Sequence, residues 1–196
     1  MTLVLASASA SRAAMLRAAG LEFTTQPAKI DEQEIKLSLK AEGASARQAA
    51  EALAELKARR AIADPEDFVI AADQMLTCEG RWYDKPENLA AAREQLLSLR
   101  GRTHELTSAV VLARGGSIIW RHIDQAKLIM RDFSEGFLDA YLAQAGETVL
   151  HSVGAYQLEG LGVQLFSRLQ GDFFTILGLP LLPLLDILRQ NKVLRA

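Results

Sequence analysis

The chain combines short, fully apolar runs with longer segments of helical periodicity, a pattern typical of α/β proteins. Residues 3–6 and 68–72 are continuously apolar rather than alternating, as expected for strands that are covered on both faces. The first run breaks into a turn of small residues at 7–12, and a helix is predicted over 13–19, ended by Gly20. The opening therefore predicts a strand, a turn and a helix whose N-terminus points at the turn.

The rest of the chain continues this alternation. Residues 45–62 are rich in helix-forming side chains, and Lys57 falls on their apolar stripe one turn after Leu53. The other predicted elements are an extended segment over 22–27, a hairpin of 74–78 with 81–83, a helix over 89–99, a long hairpin of 103–114 with 117–131, a helix over 134–144, two short strands around Gly171, and a last helix over 180–190. Together they predict one α/β domain over residues 1–196, with two lobes and a cleft between them.

Composition then removes several classes of function. The net charge is −2, so no overall field attracts DNA or anionic lipid, and we expect neither a nucleic-acid polymer nor a membrane as partner. No secretory signal is apparent, and the single Cys78 fits a reducing cytoplasm. A nucleophilic Cys78 is disfavoured because no base lies near it in sequence. The three histidines, His104, His122 and His151, lack the spacing of a metal site.

Candidate phosphate-binding residues lie in the turn before the first helix. Ser7, Ser9 and Arg12 precede a helix N-terminus, whose free N–H groups and positive dipole end suit a phosphate. A simple helix cap beside a solvated arginine explains the same residues equally well.

Carboxylates and lysines elsewhere add to this candidate chemistry. Asp73 directly follows the run 68–72, which predicts a position at the carboxyl end of a strand, although a plain turn residue is the alternative. Lys57, on a buried stripe, needs either an anion or a route for its ammonium to water. Lys85 follows the predicted hairpin. Glu32 is a second carboxylate able to hold Mg²⁺ or Mn²⁺ against phosphate, with an exposed acidic loop as the alternative.

Many short motifs stand in the order found in one known family. They are Leu5-Ala6-Ser7-Ala8-Ser9 with Arg12, Asp31-Glu32, Lys57-Ala58, Ala72-Asp73-Gln74, Asp84-Lys85-Pro86, Gly101-Arg102-Thr103-His104-Glu105 and Glu159-Gly160-Leu161-Gly162. In these the chain resembles the Maf family of nucleotide pyrophosphatases, which is related in fold to the inosine-triphosphate pyrophosphatases. The resemblance implies a strongly twisted mixed β-sheet flanked by helices, two lobes with a central cleft, and a homodimer.

The resemblance also implies an activity and the residues that carry it. The expected reaction is hydrolysis of the α–β phosphoanhydride of a nucleoside triphosphate, with Mg²⁺, Mn²⁺ or Co²⁺ as cofactor. Asp73 matches the family's general base, and Glu32 and Asp73 match its metal-binding carboxylates. The residues that match its triphosphate contacts are Ser7, Ser9, Arg12, Lys57 and Lys85.

Three further positions bear on the choice of base. Gln74 and Glu159 resemble the branch that acts on 7-methyl-GTP, whereas the dTTP and UTP branch usually has Thr and Gln there. A carboxylate accepts from the two donors on one edge of guanine and favours the positive charge of an N7-methylated base. The chain departs from the family at Ser11 in two respects. Family members commonly have an arginine at this position, and the 7-methyl-GTP branch often has an aromatic residue there. We expect guanine nucleotides, with dTTP or UTP as the alternative.

Two other classes of function remain open from the sequence. One is a nucleotide-binding regulator of cell division with little turnover, which the resemblance also suggests. The other is an α/β interaction module whose apolar helix over residues 179–188 docks a partner, although ordinary burial in a core explains that helix better.

Overall fold

The computed structural model describes residues 2–195. Its strands are β1 (Leu3–Leu5), β2 (Thr24–Thr25), β3 (Phe68–Cys78), β4 (Arg81–Tyr83), β5 (Thr103–Arg114), β6 (Ser117–Met130) and β7 (Phe166–Gln170). Its α-helices are α1 (Ala10–Ala18), α2 (Glu32–Ala41), α3 (Ala46–Arg60), α4 (Leu89–Leu99), α5 (Glu135–Ala145), α6 (Phe173–Ile176) and α7 (Leu181–Gln190). Short 3₁₀ turns cover Gly146–His151, Val153–Ala155 and Leu161–Leu165.

The strands form one mixed sheet in the order β2-β1-β3-β5-β6-β7, with β4 paired to β3. Strand β1 runs parallel to both β2 and β3, whereas β4 is antiparallel to β3 and β7 is antiparallel to β6. The predicted mixed α/β fold is therefore confirmed. Within the described part of the chain, no helix has the length and apolar character that crossing a membrane requires.

The chain forms two compact units, in agreement with the two predicted lobes. The first unit contains the residues up to Gln74, Thr107–Asp124 and the residues from Phe173 onward. The second unit contains Met75–Leu106 and Gln125–Asp172. The single domain and the cleft remain predictions.

The core of the first unit is built from β1, β3 and β5 together with α1 and α7. The side chains that share it include Leu3, Leu5, Leu16, Phe68, Ile70, Val110, Leu112, Leu179, Leu184 and Leu188. Leu184 and Leu188 of α7 are fully buried there, and burial of each leucine side chain stabilises the fold by about 1.5–3 kcal/mol. Burial therefore explains the apolar face of α7, and the interaction-module alternative loses the feature that suggested it.

The second unit has an aromatic centre around His104. Its Nε2 lies 2.7 Å from Tyr156 Oη, and the Phe166 ring stands edge-on to Tyr156 at 4.8 Å between ring centroids. Tyr141 Oη donates to the Ala155 carbonyl at 3.2 Å. Burial lowers the pKa of His104 to about 4 and raises the pKa of Tyr141 to about 12. His104 is thus buried, neutral near pH 7 and hydrogen-bonded to Tyr156.

Gly154 allows this aromatic centre to close. Its φ is +79°, and a Cβ atom there would lie 2.6 Å from Leu76 Cδ1 and 2.7 Å from Tyr156 Cε1. Only glycine combines that backbone angle with so close an approach.

The predicted position of Asp73 at the end of a strand is wrong. Strand β3 continues to Cys78, because Met75 and Leu76 are also buried and β4 pairs with residues beyond Asp73. The parallel neighbour β1 ends earlier, at the pair Leu5↔Ile70. Asp73 therefore lies within its own strand but past the end of β1, on the side where the Ser7 turn follows.

Three predictions about local structure also need correction, and in each case the structure has a helix. Helix α1 begins at Ala10 rather than at residue 13, because Ser9 accepts from the Arg12 N–H as the N-cap. Glu32 does not stand in an acidic loop but is the first residue of α2, capped by Asp31. After Gly171, at φ +125°, the chain forms α6 instead of a second short strand. For α2, the Asp31 cap starts a helix where the acidic residues alone are also typical of a loop. For α6, the positive φ of Gly171 redirects the chain where the apolar pattern favours a strand.

Replacing His104 is expected to remove a pH-dependent loss of stability. Because the pKa of His104 is about 4 in the folded chain and 6.5 for an ordinary histidine, only the unfolded chain takes up a proton as the pH falls below 6.5. The free energy of unfolding should therefore decrease between pH 6.5 and 4, by up to about 3 kcal/mol. Urea titrations of His104→Gln should lack this component, while the exposed control His151→Gln should keep it. An equal pH slope in wild type and His104→Gln would contradict this account.

Candidate active site

Helix α3 brings one lysine to the face of β3. Its start is fixed by a capping box in which Gln48 N donates to Ser45 Oγ and Ser45 N donates to Gln48 Oε1. Its inner stripe of small residues and Leu53 is fully buried, which holds the helix close to the sheet. Lys57 continues that stripe and is only 7% exposed.

The Lys57 ammonium joins two carboxylates from different elements. Its Nζ donates to Asp73 Oδ1 at 2.6 Å and lies 2.8 Å from Glu32 Oε1. Lys57 is therefore paired in the interior, and the alternative in which its ammonium reaches water is wrong. These three predicted residues come together in the first unit.

Asp73 keeps one oxygen without a protein partner. The residue is 3% exposed, and its Oδ2 has no hydrogen-bond partner among the described residues. A buried, unpartnered carboxylate oxygen is costly and marks a position where a proton donor or a cation would be favoured. Asp73 thus has one oxygen held by Lys57 and one available for chemistry.

Arg12 is buried beside these groups and is held mainly by backbone. Its Nε donates to the Gly178 carbonyl at 2.8 Å, and its Nη1 donates to the Ala72 carbonyl at 2.9 Å and to Ser7 Oγ at 3.3 Å. Burial lowers the pKa of Arg12, while the charges of Asp73 and Glu32 act against that shift. The alternative of a solvated arginine is therefore wrong.

The turn that precedes α1 holds the two predicted serines. Ser7 is buried, and its Oγ accepts from Ser9 N at 3.2 Å. Ser9 Oγ accepts from Arg12 N at 3.3 Å as the N-cap. Ser7 and Ser9 thus belong to the turn before α1, and the buried Arg12 is the third residue of that helix.

These residues fit a hard divalent cation in part. Among residues 2–195, no group of three or more His, Cys, Asp or Glu side chains is close enough to hold a metal ion. Asp73 and Glu32 nevertheless offer oxygen ligands within one cluster, and the unpartnered Oδ2 of Asp73 is a free ligand position. Mg²⁺ commonly uses one or two carboxylates and takes its remaining ligands from substrate phosphates and water.

The remaining predicted site residues lie in different surroundings. Gln74 follows Asp73 but donates to Ser108 and to the carbonyls of Thr175 and Ile176. Ser11 is half-buried on α1, whereas Lys85 and Glu159 are exposed residues of the second unit.

Sequence reasoning missed Ser108. It is a fully buried polar residue of β5 and follows Thr107, which is also buried. The available signal was this pair of hydroxyl residues directly before the apolar run 109–113, because buried hydroxyls require partners.

Removing Lys57 is expected to destabilise the fold through Asp73. The change Lys57→Met leaves a buried carboxylate without its cation, which should lower the free energy of unfolding by about 3–5 kcal/mol. Adding Asp73→Asn removes the unpaired charge, so the double variant should be more stable than Lys57→Met in urea titrations. Equal stabilities of Lys57→Met and the double variant would show that the pair is not what the lysine stabilises.

Comparison with known proteins places the chain in a family. The chain matches the family described as Maf-like protein over residues 2–191. It is 54% identical to a nucleoside triphosphate pyrophosphatase of Granulibacter bethesdensis, with 99% of each chain covered, and 58% identical to one of Paramagnetospirillum magneticum, with 96% of this chain and 97% of that protein covered. It is 50% identical to a 7-methyl-GTP pyrophosphatase of Rhizobium meliloti, over 96% of this chain and 95% of that protein.

A solved structure of a HAM1 protein from Coxiella burnetii is also similar, with 20% identity, a TM-score of 0.44, and coverage of 67% of this chain and 73% of that one. The family match spans almost all of the chain, and the relatives are about half identical over their full length. The chain belongs to the family of Maf-like proteins.

Proposed function

We propose that the chain is a nucleoside triphosphate pyrophosphatase, which hydrolyses the α–β phosphoanhydride. The products are a nucleoside monophosphate and inorganic diphosphate (pyrophosphate). Full-length relatives carry the name nucleoside triphosphate pyrophosphatase. The observation that carries the proposal within the molecule is the buried cluster in which Lys57 joins Asp73 and Glu32. It provides a base, a cation and oxygen ligands in one place, which phosphoryl chemistry requires.

Asp73 acts as the general base in this proposal. Its Oδ2 has no protein partner and can accept a proton from a water molecule that attacks phosphorus. The bond from phosphorus to the α–β bridging oxygen then breaks, and the diphosphate leaves with that oxygen. The proton taken up by Asp73 returns to solvent after product release. Lys57 holds Oδ1 in place, so the orientation of the carboxylate is set before substrate binds.

Cations of the chain offset the charge of the triphosphate. Lys57 has three donor hydrogens, of which two are directed to carboxylates, leaving one for a phosphate oxygen. Arg12 and the turn at Ser7 and Ser9 offer a guanidinium and the positive end of α1. Lys85 is proposed as a further contact on the strength of the family motif. A divalent cation, when bound by Glu32 and Asp73, would polarise phosphate oxygens and neutralise part of their charge.

We propose guanine nucleotides, including 7-methyl-GTP, as the preferred substrates. Glu159 is an exposed carboxylate that accepts hydrogen bonds and cannot donate them, which matches the donors of guanine and opposes the acceptors of uracil. Relatives that are named 7-methyl-GTP pyrophosphatase, from Rhizobium meliloti and Brucella suis, support this preference. Ser11, in place of an aromatic residue, gives a methylated base no cation–π partner at that position.

A cytoplasmic location and a homodimer are also proposed. The single cysteine, Cys78, is buried and unpaired, which suits a reducing compartment. The homodimer rests on the resemblance to the family.

Pyrophosphate release tests the activity directly. With Mg²⁺ or Mn²⁺, the wild type should convert GTP into GMP and pyrophosphate without orthophosphate, and EDTA should abolish the reaction. Asp73→Asn should reduce kcat roughly 10²- to 10⁴-fold while nucleotide binding persists, because the general base is lost.

The surface change Asp139→Asn provides a matched control. Asp139 pairs with Arg93 on the surface of the second unit, so its loss should leave kcat unchanged. Tight nucleotide binding by the wild type without any product would support the regulator instead. An Asp73→Asn variant as active as wild type would remove Asp73 from the reaction.

Exchanging the proposed base-reading carboxylate tests selectivity. Glu159→Gln replaces an acceptor by a group that also donates, so kcat/KM for GTP should fall relative to UTP by roughly tenfold, the value of one or two hydrogen bonds. The measurement is the GTP to UTP ratio of kcat/KM in wild type and variant. An unchanged ratio would exclude Glu159 as the base reader.

A further inference from the structure

The side-chain amide nitrogen of Gln74 donates hydrogen bonds to acceptors within the protein. Its Nε2 lies 2.9 Å from Ser108 Oγ, 3.1 Å from the Thr175 carbonyl and 3.0 Å from the Ile176 carbonyl. An amide nitrogen carries two hydrogens, and three acceptors already surround this one. The amide nitrogen of Gln74 therefore has no hydrogen left with which to read a nucleotide base.

Ser108 completes the same network from a position that no substrate reaches. It is fully buried, and its Oγ donates to the Thr175 carbonyl at 2.8 Å while it accepts from Gln74. Thr175 is likewise fully buried, and its Oγ1 donates to Asp124 Oδ2 at 2.9 Å. Side chains from β3, β5 and β6 thus hold the C-terminal end of α6.

The segment held in this way ends at the group that fixes Arg12. Gly178 N donates to the Thr175 carbonyl at 3.0 Å, and the Gly178 carbonyl accepts from Arg12 Nε at 2.8 Å. Gly178 has φ +95°, which aims its carbonyl in a direction that other residues rarely adopt. The position of the Arg12 guanidinium therefore depends on where the turn of residues 175–178 is held.

We infer that Gln74 and Ser108 are positioning residues for the triphosphate contact of Arg12, acting through the turn of residues 175–178 that their hydrogen bonds hold. The inference rests on the proposed function, in which Arg12 holds the polyphosphate. Successive residues of a strand face opposite sides of the sheet, and accordingly Asp73 bonds to Lys57 of α3 whereas Gln74 bonds toward α6. Loss of the Gln74 contacts should therefore affect binding of the polyphosphate more than the chemical step.

A ligand without a base distinguishes positioning of Arg12 by Gln74 from contact of Gln74 with the base. Inorganic tripolyphosphate retains the phosphate contacts, that of Arg12 among them, and has no base edge, so its affinity reports on phosphate binding without a contribution from the base. Gln74→Met, of similar length but without donors, and Ser108→Ala should each weaken tripolyphosphate binding in calorimetry roughly three- to tenfold. KM should rise by a similar factor for GTP and for UTP, while kcat and the GTP to UTP ratio of kcat/KM stay within about twofold.

Ser98→Ala is the matched control. Ser98 Oγ donates to the Gln95 carbonyl in the second unit, so this variant also loses a hydroxyl hydrogen bond but has no connection to Arg12. It should retain wild-type tripolyphosphate affinity even where its melting temperature falls. If Ser108→Ala fails to fold, Gln74→Met alone carries the test, because Gln74 is only half-buried.

Each outcome bears on the inference. Unchanged tripolyphosphate binding in Gln74→Met, together with an altered GTP to UTP ratio, would overturn it and make Gln74 a direct reader of the base. A wild type that releases pyrophosphate and binds tripolyphosphate, with variants that do both equally well, would overturn the inference and leave the proposed function intact. A wild type that neither binds tripolyphosphate nor releases pyrophosphate would overturn both.

Discussion

The ion pair between Lys57 and Asp73 is the interaction on which the candidate site depends. A carboxylate with 3% exposure loses most of its hydration and is tolerated in its charged form only beside a cation. A lysine with 7% exposure has the same requirement for an anion. The 2.6 Å contact between them meets both requirements at once, and Glu32 takes a second hydrogen of the same ammonium at 2.8 Å. The pair thereby holds two opposite charges in a buried position, where electrostatic interactions are stronger than in water.

Arg12, unlike Lys57, is buried without a direct carboxylate partner among the residues that the structure describes. It donates to two backbone carbonyls and one hydroxyl, which occupy three of its five N–H donors without cancelling its charge. A guanidinium paired directly to a carboxylate would offer an anion much less net attraction. The carbonyl groups therefore bury the side chain and leave its positive charge effective, which is the condition that a polyphosphate contact requires. The stability of that arrangement then depends on backbone segments that supply the carbonyls, at Ala72 and at Gly178.

The sequence predicts the buried position of Lys57 better than it predicts the bounds of the elements around it. Lys57 could be placed on a buried face because helix periodicity determines which side chains share a face. The predicted hairpin of 74–78 with 81–83 is confirmed, but the sequence predicts the run 68–72 as a separate strand, because an aspartate after an apolar run is also typical of a turn. Helix α2 and helix α6 were missed for a related reason, since short elements depend on caps and on contacts from distant segments. The partners of Gln74 lie 34 to 102 residues away in sequence, and no local pattern predicts them.

The motif Ala72-Asp73-Gln74 shows why adjacent residues need not share a role. The Ala72 carbonyl accepts from Arg12, the Asp73 carboxylate bonds to Lys57, and the Gln74 amide bonds toward α6. In a strand, the carbonyl lies in the plane of the sheet while successive side chains leave from opposite faces. Three consecutive residues thus reach an arginine, a lysine and a distant turn in three directions. A single short stretch of β3 therefore positions the Asp73 carboxylate and the Arg12 guanidinium together, because the carboxylate belongs to this strand and the guanidinium bonds to the carbonyl of the preceding residue. In the role proposed for Gln74, this shared strand is the reason why a change at position 74 would act on phosphate binding without contact with the phosphate or with Asp73.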